Sequence, residues 1–439
     1  MLGCDLGTIF RTTVAGGSYQ DGLTVHLQGV PPGMMITEEQ IYEDLLLRKP
    51  GQGELTSPRR EPDIPLIYSG INAADSMPGF SNAYHTNGTP LVILIPNLDR
   101  HFEHIEQYQV TNRTPRPGHA SYASYQKYDH WDDAIGAGLF SGRYTSTVVA
   151  AGAVAKAVLA AKGLEVTAYV KEAAGVVMPE MTIDQIRKKA AAYRRVRKEH
   201  DPIWQFVYKA GRIKPGMRFL EKLPVLAEVE RMIGRFPAVP MDEENIRKEH
   251  GIHPKLFCPD LAAADAMFER IIDIKDAGDS SGGQIEVVAT GVPAGMGEPV
   301  FKKLDGELGR MLSIGAVKAV EIGAGIKVKD MTGSQNNDPL YVDENNQVRF
   351  RSNNAGGITG GLTTGQTVIA RLTIKPTPTI SKDQETIDKV DRTNTVLKAV
   401  TRRDPTLVAR IWPVAEAFMS LILLDRLVMH LGYQAMWRR

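Results

Sequence analysis

Features that mark specialised classes of protein are scarce in this chain of 439 residues. Its two cysteines, Cys4 and Cys258, lie far apart in sequence and offer neither a disulfide framework nor the ligand spacing of a zinc site. This usage predicts a cytoplasmic protein without a structural metal. The most apolar stretch, residues 418–424, is flanked by Glu416 and Asp425 and is much shorter than the roughly 20 residues of a membrane span. The sequence therefore predicts no membrane association.

An excess of either charge is also absent, because 52 Lys and Arg residues oppose 51 Asp and Glu residues. A balanced total predicts no nucleic-acid partner and no binding to an anionic membrane surface. Any site for an anion must therefore be built locally. The first residues, Met1 to Asp5, lack a basic region followed by an apolar run, so we expect no signal peptide.

One short pattern occurs twice, about half a chain apart. A strand-like alternation, the turn Gly29-Val30-Pro31-Pro32-Gly33-Met34 and a helical pattern follow one another over residues 23–47. The same order recurs over residues 285–312, around the turn Gly291-Val292-Pro293-Ala294-Gly295-Met296. The repetition predicts an α+β fold with an internal duplication, whose two copies pack as halves of one body. A chance recurrence of Gly and Pro in turns is the alternative.

The connection between the two copies changes in character along its length. Residues 142–162 follow an alanine-rich helical pattern suited to burial. Residues 165–250 are longer and more charged, and we interpret them as a helical insertion within a single domain of residues 1–439. The basic residues between Arg187 and Lys198 most often form a solvated helix face in such a pattern, with a nucleic-acid contact as the weaker alternative.

A glycine-rich stretch, residues 352–366, precedes an alternating strand at residues 368–375. Glycine at this density suits a backbone that approaches another group closely. The strand leads to Lys375, Thr377 and Thr379, a cation and two hydroxyls beside two prolines, which together could bind a phosphate. A mobile Gly/Thr loop beside an ordinary strand is the alternative interpretation.

Three further clusters contain side chains suited to acid–base or anion chemistry. His119 lies in a Pro-Gly turn near Arg116, where an imidazole could exchange a proton beside an anion; a loop histidine bonded to backbone is the alternative. Asp404 is a candidate base or a simple turn cap. The remaining candidates are cations around Gly/Pro turns, which suit a carboxylate or phosphate substrate or a surface salt-bridge cluster. They are Arg48, Lys49, Arg59 and Arg60.

In their order along the chain, these motifs resemble the chorismate synthase family. The resemblance is collinear over nearly the whole chain, apart from the long region of residues 165–250. The matching motifs are residues 7–11, 29–33, 50–51, 59–62, 116–120, 150–153, 257–260, 278–280, 291–299, 333–335, 352–366 and 413–417.

The resemblance implies a β-α-β sandwich of antiparallel sheets around helices, usually in a homotetramer, that binds reduced FMN. It implies the elimination of phosphate and a ring proton from 5-enolpyruvylshikimate 3-phosphate, with His119 acting near the flavin and Asp404 in proton removal. The implied cofactor-binding residues are Ser141, Gly315, Ala316, Asn354, Lys375, Thr377, Thr379 and Arg402. The implied substrate-binding residues are Arg48, Lys49, Arg59, Arg60, Arg116, Arg143 and Arg403.

Several positions differ from the family pattern. Tyr19 stands where the family has the histidine that protonates the leaving phosphate, and a phenol, with an ordinary pKa near 10, is the poorer proton donor. Leu139 replaces an arginine, Tyr144 replaces a glutamate and Glu54 replaces an arginine. These changes remove positive charge beside a highly anionic substrate. They predict a diverged lyase that acts on a related shikimate-type cyclohexene acid; the alternatives are a genuine chorismate synthase and a non-catalytic scaffold.

Overall fold

The computed structural model describes residues 3–57, 59–75, 79–99, 112–133, 135–399 and 404–437. Two five-stranded antiparallel sheets enclose a helical layer, as the sequence predicted. Helices α3 (Thr145–Ala160) and α11 (Val408–Trp437) pack against each other between the sheets. Gly152 permits their close crossing, because a Cβ added there would lie 2.3 Å from the Cβ of Ala417.

Four strands of each sheet share one topology. The strand order is β1-β2-β3-β5-β4 in the first sheet and β7-β6-β8-β14-β9 in the second, so that β2, β3, β4 and β5 correspond to β6, β8, β9 and β14. The edge strands differ, because β1 precedes β2 in the chain whereas β7 follows β6. The strands of the first sheet are β1 Asp5–Leu6, β2 Arg11–Gly16, β3 Gly22–Gln28, β4 Leu66–Ser69 and β5 Leu91–Pro96. Those of the second are β6 Glu165–Ala173, β7 Val176–Val177, β8 Gly283–Thr290, β9 Val317–Ile322 and β14 Val368–Ile374. Three hairpins complete the strands: β10 Leu340–Val342 with β11 Val348–Phe350, β12 Ile358–Thr359 with β13 Leu362–Thr363, and β15 Gln384–Asp388 with β16 Thr393–Leu397.

The remaining helices flank these layers. In chain order they are α1 Glu38–Arg48, α2 Ser121–Lys127, α4 Ile183–Glu199, α5 Pro202–Trp204, α6 Phe219–Met232, α7 Glu243–His250, α8 Leu261–Asp276, α9 Leu304–Gly309 and α10 Gly333–Asn336. Helix α1 begins at a capping box between Thr37 and Gln40, in agreement with its predicted start. The single helix predicted for residues 299–312 is instead broken into two 3₁₀ turns around α9, where Gly306 and Gly309 weaken helix formation.

A matching pair of threonines fixes the two repeated turns. The hydroxyl of Thr86 accepts from the amide of Met34 at 2.9 Å and donates to the carbonyl of Pro31 at 2.6 Å. The hydroxyl of Thr363 makes the same two bonds in the second copy, to the amide of Met296 at 2.9 Å and the carbonyl of Pro293 at 2.5 Å. Shared topology and shared turn contacts indicate that the repeated sequence pattern reflects a duplicated unit.

The predicted insertion differs from the structure at its start. Residues 165–173 form β6, which lies beside β8 in the second sheet. Its buried and β-favouring residues, such as Val166, Tyr169 and Val170, suit an inner strand better than a helix. The helical part therefore begins at α4, and we call residues 183–255 the helical segment.

Part of the basic run on α4 contacts other elements, whereas Arg187, Lys188 and Arg195 are exposed. Arg194 pairs with Asp44 on α1 and with Glu416 on α11, and Lys198 pairs with Glu43. Lys189 donates to the carbonyl of His250 at 2.8 Å. These contacts attach the helical segment to the helical layer.

Of the described helices, including the 30 residues of α11, none combines the length and the apolar character that crossing a membrane requires.

Candidate active site

A buried cluster of charges joins the end of α1 to the start of α3. Two arginines, Arg48 and Arg143, share the carboxylate of Asp63, which is fully buried, and the Arg48–Asp63 bond is 2.9 Å long. Arg48 also donates to Thr145 at 2.9 Å, and Arg143 donates to Asn97 at 2.8 Å. Every nitrogen of both guanidinium groups donates within the chain. This arrangement favours a framework role for two cations that the sequence predicted to bind substrate.

Burial dominates the electrostatics of this cluster. It lowers the pKa of Arg48 to about 9, against the opposing attraction of Asp63. Burial alone would raise the pKa of Asp63, but Arg143 and Arg48 hold that pKa below its ordinary value. The carboxylate is therefore ionised, and its charge offsets part of the positive charge around it.

Lys49 points away from this cluster. Its ammonium group pairs with Asp201 of the helical segment and donates to the hydroxyl of Tyr42 at 3.0 Å. Lys49 is also buried. Its predicted contact with substrate stays a prediction, but its charge is already neutralised by Asp201.

Arg59, on the neighbouring loop, is less buried than Arg48 and Lys49. Its side chain is 20% exposed and donates to Glu61 at 2.6 Å and to the hydroxyl of Ser18 at 3.3 Å. Its guanidinium carbon lies 5.4 Å from the centroid of the Tyr19 ring. Asn97 fixes the backbone around Tyr19, because its side-chain amide donates to the carbonyls of Gly17 and Gln20, at 2.9 and 2.8 Å. Tyr19 and Arg59 therefore form one unit beside the buried cluster.

Two other residues of this loop face the helical segment. Arg60 donates to the carbonyl of Gly234 at 3.0 Å, and its amide donates to Asp99 at 2.8 Å. The carboxylate of Glu54 accepts from Lys255 at 3.2 Å. Burial alone would raise the pKa of Glu54. A backbone hydrogen bond and then Lys255 outweigh burial and lower this pKa below its ordinary value. The negative charge of Glu54 is therefore directed towards Lys255.

His119 follows a left-handed glycine, Gly118, at φ 71°. Its Nε2 lies 3.4 Å from a guanidinium nitrogen of Arg116, and because arginine can only donate, Nε2 must accept and Nδ1 must carry the hydrogen. Nδ1 is buried and has no hydrogen-bond partner among the described residues. Burial first, and then the charges of Arg116 and Lys375, lower the pKa of His119 to about 4. The sequence predicted an acid here, whereas the structure holds a neutral imidazole at neutral pH.

Lys375 connects His119 with the second half of the chain. Its ammonium group donates to the carbonyl of Gly118, and its amide donates to the carbonyl of Ala316 at 3.0 Å. Beyond it, the hydroxyl of Thr377 is buried without a hydrogen-bond partner among the described residues, while its carbonyl accepts from Ser280 at 2.7 Å. Thr379 is half-buried on the same segment. The predicted phosphate segment and the predicted histidine therefore meet.

Tyr144 provides a second connection between the halves. Its hydroxyl donates to the carbonyl of Ser313 at 3.2 Å and accepts from the amide of Gly315 at 3.1 Å. Burial raises the pKa of Tyr144 above its ordinary value, which keeps the hydroxyl available as a donor. Next to it, the hydroxyl of Ser141 caps a 3₁₀ turn by accepting from the amide of Arg143 at 3.2 Å. The predicted cofactor residues Ser141 and Gly315 therefore lie on segments that Tyr144 joins.

Asp404 is attached to the Arg59 loop. Its Oδ1 accepts from the amide of Ser57 at 2.7 Å and from Arg410 at 3.0 Å. Arg410 also donates to the carbonyl of Arg48 at 3.1 Å. The predicted base thus reaches the first half of the chain. Two predicted residues next to it, Arg402 and Arg403, lie outside the described residues.

The glycine-rich stretch approaches the chain's own backbone. A Cβ added to Gly356 would lie 2.4 Å from the amide nitrogen of Gly323. Asn354 donates to the carbonyls of Gln335 and Asn336, both at 3.1 Å, and its amide donates to Asp338 at 2.8 Å. The stretch also contributes Thr363 to the second repeated turn. The close approach predicted from the glycines therefore has a structural explanation without a phosphate.

Sequence reasoning missed Asp63, Asn97 and Arg410, although each orders a predicted site residue. Asp63 did carry a signal, because it lies between Pro62 and Pro65 just after the arginine pair and adopts a left-handed φ of 54°. Among the described residues, no group of three or more His, Cys, Asp and Glu side chains is arranged to hold a metal ion.

Comparisons with known proteins agree over almost the whole chain. The family model for chorismate synthase matches residues 10–428. A chorismate synthase of Acetivibrio thermocellus is 36% identical, over 99% of this chain and 97% of its own length. One of Syntrophobacter fumaroxidans is 38% identical, over 97% of both chains. A crystal structure of a chorismate synthase matches 97% of this chain and 94% of its own, with a TM-score of 0.61 and 23% identity.

Proposed function

This chain belongs to the chorismate synthase family and is a carbon–oxygen lyase of that kind, and we propose that it catalyses the family reaction itself. That reaction eliminates phosphate from 5-enolpyruvylshikimate 3-phosphate to give chorismate. The proposal replaces the diverged substrate that the substituted positions first suggested, because relatives named chorismate synthase match over nearly the full length of this chain.

The observation that carries the proposal is the position of Glu54. A carboxylate in the substrate site would repel a substrate with two carboxylates and a phosphate, and this was the strongest argument for a different substrate. In the structure, Glu54 pairs with Lys255 at 3.2 Å, and its carbonyl accepts from Lys275 at 2.9 Å. Its charge is thus compensated on the side of the loop that faces the helical segment, so it does not argue against an anionic substrate.

The residues around Lys375 fit the phosphate of FMN. The buried hydroxyl of Thr377 and the buried Nδ1 of His119 lack partners among the described residues, and unpaired buried polar atoms are unfavourable unless a ligand binds them. Lys375 supplies a positive charge beside them. When bound, reduced FMN would supply the electron that this family lends to the substrate and recovers. Lys375, Thr377 and His119 would hold its phosphate or the atoms next to it.

The first half of the chain would bind the reacting end of the substrate. Arg59 is partly open and lies over Tyr19, so its guanidinium group can stabilise the leaving phosphate while the Tyr19 hydroxyl donates a proton or hydrogen bond to it. Asp404 would accept the ring proton as the C–H and C–O bonds break. Arg48 and Arg143 keep these groups in place through Asp63.

An anaerobic assay with photoreduced FMN and 5-enolpyruvylshikimate 3-phosphate tests this function. We expect phosphate release and chorismate absorbance to rise together in a one-to-one ratio. FMN binding without phosphate release would contradict the proposal and would return attention to a related cyclohexene acid. Failure to bind FMN in either redox state would favour the scaffold alternative.

A homotetramer and a cytoplasmic location are expected from the resemblance and from cysteine usage, and they stay predictions. Sedimentation analysis of the purified protein would measure the oligomeric state.

A further inference from the structure

We propose that the helical segment positions the loop of residues 48–61 for substrate binding, and that Arg197 is a positioning residue in this contact. The identity of the substrate rests on the function proposed above, but the contact between the segment and the loop does not. The segment contacts other residues of the loop than those that contact Asp404 and Tyr19.

The first part of the contact involves residues 49–52. Lys49 pairs with Asp201 just before α5, and both side chains are at least nine-tenths buried. Arg197 on α4 donates to the side-chain oxygen of Gln52, while the Gln52 amide donates to the carbonyls of Leu46 and Lys49 at 2.5 and 2.6 Å. Gln52 therefore connects α4 to the end of α1.

The second part involves residues 54–60. Glu54 pairs with Lys255, which also pairs with Glu243 on α7 at 2.8 Å. Arg60 donates to the carbonyl of Gly234, beyond the end of α6. The helical segment thus contacts the loop at four positions, through residues from separate parts of its length.

The loop has no helix or strand of its own beyond the end of α1. Its internal hydrogen bonds join residues 51–57: the amide of Gly51 donates to the carbonyl of Ser57 and the amide of Thr56 to the carbonyl of Gly53, both at 3.1 Å, and the Thr56 hydroxyl accepts from the amide of Gln52 at 2.9 Å. Leu55 is buried and anchors its middle. Polar contacts with the helical segment add to the bonds from Asp404 and Asp99 in fixing where this turn lies.

Other residues of the same loop contact the groups proposed to act in the reaction. The amide of Ser57 donates to Asp404, and the next described residue, Arg59, lies over Tyr19. A shift of the loop would move the hydrogen-bond donor of the base and the cation beside the leaving phosphate together. The FMN phosphate residues, Lys375 and Thr377, are attached elsewhere. Loss of the contact between the helical segment and the loop should thus weaken the binding of substrate more than the binding of FMN.

Arg197→Ala tests the inference, with Arg195→Ala as the matched control. Arg195 is an exposed arginine two positions away on the same helix. Three quantities are measured for each variant: hydrogen exchange of the amides of residues 51–57 without ligand, the KM for substrate, and the dissociation constant of FMN. Because Arg197 makes a charge-assisted bond to Gln52, we expect Arg197→Ala to raise KM about tenfold and to speed exchange in this loop, with FMN affinity changed less than about twofold. Arg195→Ala should match the wild type in all three.

Equal behaviour of the two variants would overturn the inference. So would faster exchange throughout the protein with KM and FMN affinity weakened alike, since this is the result of general destabilisation. Glu54→Gln, which breaks a partly exposed contact, provides a second variant with less risk to folding, and unchanged exchange in both Arg197→Ala and Glu54→Gln would also overturn it. If the wild type does not turn over 5-enolpyruvylshikimate 3-phosphate, the proposed function fails, and hydrogen exchange still tests the contact.

Discussion

The two halves of this protein share a frame and differ in the connections that leave it. Each half has a sheet in which four strands follow the same order, and a Gly-Val-Pro-x-Gly-Met turn fixed by a threonine. After the first turn comes α1 and the loop of residues 48–61, which the helical segment contacts. After the second turn come α9 and a short 3₁₀ turn. Tyr144 bonds to Ser313 at the end of this 3₁₀ turn and to Gly315 just beyond it. Duplication thus supplied the scaffold, and the site arose in the connections that are not alike.

The difference extends to how each connection is held. Buried charge holds the first, through Asp63 between Arg48 and Arg143. A neutral hydroxyl, that of Tyr144, holds the second. Substitution of Asp63 tests the connection held by charge, and substitution of Tyr144 tests the connection held by a neutral hydroxyl.

Asp63→Asn should have the largest effect, because it leaves two buried guanidinium groups without their carboxylate. We expect the free energy of unfolding to fall by about 3–5 kcal/mol, measured by urea denaturation. Asp383→Asn is the control, because the Asp383–Lys398 pair is exposed and should contribute little to stability. Similar losses in the two variants would contradict a framework role for Asp63.

Thr86→Val and Thr363→Val test the shared frame. Valine keeps the shape of threonine but removes two hydrogen bonds from each turn, three of these four bonds being only partly buried. Each change should therefore cost about 1–2 kcal/mol of unfolding free energy. Thr373→Val, at an exposed position of β14, is the control and should change stability little. A large loss in one half with none in the other would show that the two turns are not equivalent.

The sequence predicted the frame better than the site. The repeated turn and the alternating strands predicted two α+β halves, because those signals are local. The threonines that fix the turns could not be recognised, since Thr86 and Thr363 contact their turns only after the chain has folded back. The predicted start of the helical insertion, at residue 165, was wrong for a related reason. The strand β6 is defined by its pairing with β8, and charge composition does not report that pairing.

The sequence indicated which residues belong to the candidate site better than it indicated the partners of those residues. His119, Lys375 and Thr377 were expected near one another through the resemblance, and the structure brings them together. Arg48, Lys49 and Arg143 were expected to face the substrate. Asp201 is 152 residues from Lys49 and could not be inferred as its partner, whereas Asp63 follows the arginine pair closely and its role was missed. The same limit applies to Glu54. From the sequence alone its charge is unfavourable for an anionic substrate, but in the structure it pairs with Lys255.

Tyr144→Phe tests the neutral connection. It removes one hydroxyl that bonds both Ser313 and Gly315, so we expect the dissociation constant of FMN to rise about tenfold, while KM for substrate changes less. Fluorescence titration of FMN measures the first. Tyr128→Phe, at an exposed ring, is the matched control. An unchanged FMN affinity in Tyr144→Phe would show that the loop of residues 313–316 does not depend on this bond.

A pH titration tests the environment of His119. Burial, Arg116 and Lys375 lower its pKa from the ordinary 6.5 to about 4. The unfolded chain therefore binds a proton that the folded chain does not, and this residue should reduce stability progressively as the pH falls from about 6.5 to 4. NMR of the unliganded protein, with His119→Gln to assign the signal, should show a midpoint near pH 4. A midpoint near 6.5 would contradict the buried environment.

The most direct test of a site shared by the two halves is the FMN affinity of Thr377→Val compared with that of the wild type. Valine occupies the same volume but removes the buried hydroxyl that lacks a partner among the described residues. The account predicts a rise of about tenfold in the FMN dissociation constant with an unchanged urea midpoint. Equal FMN affinity in the two proteins would contradict it, because the cofactor phosphate would then bind away from Thr377.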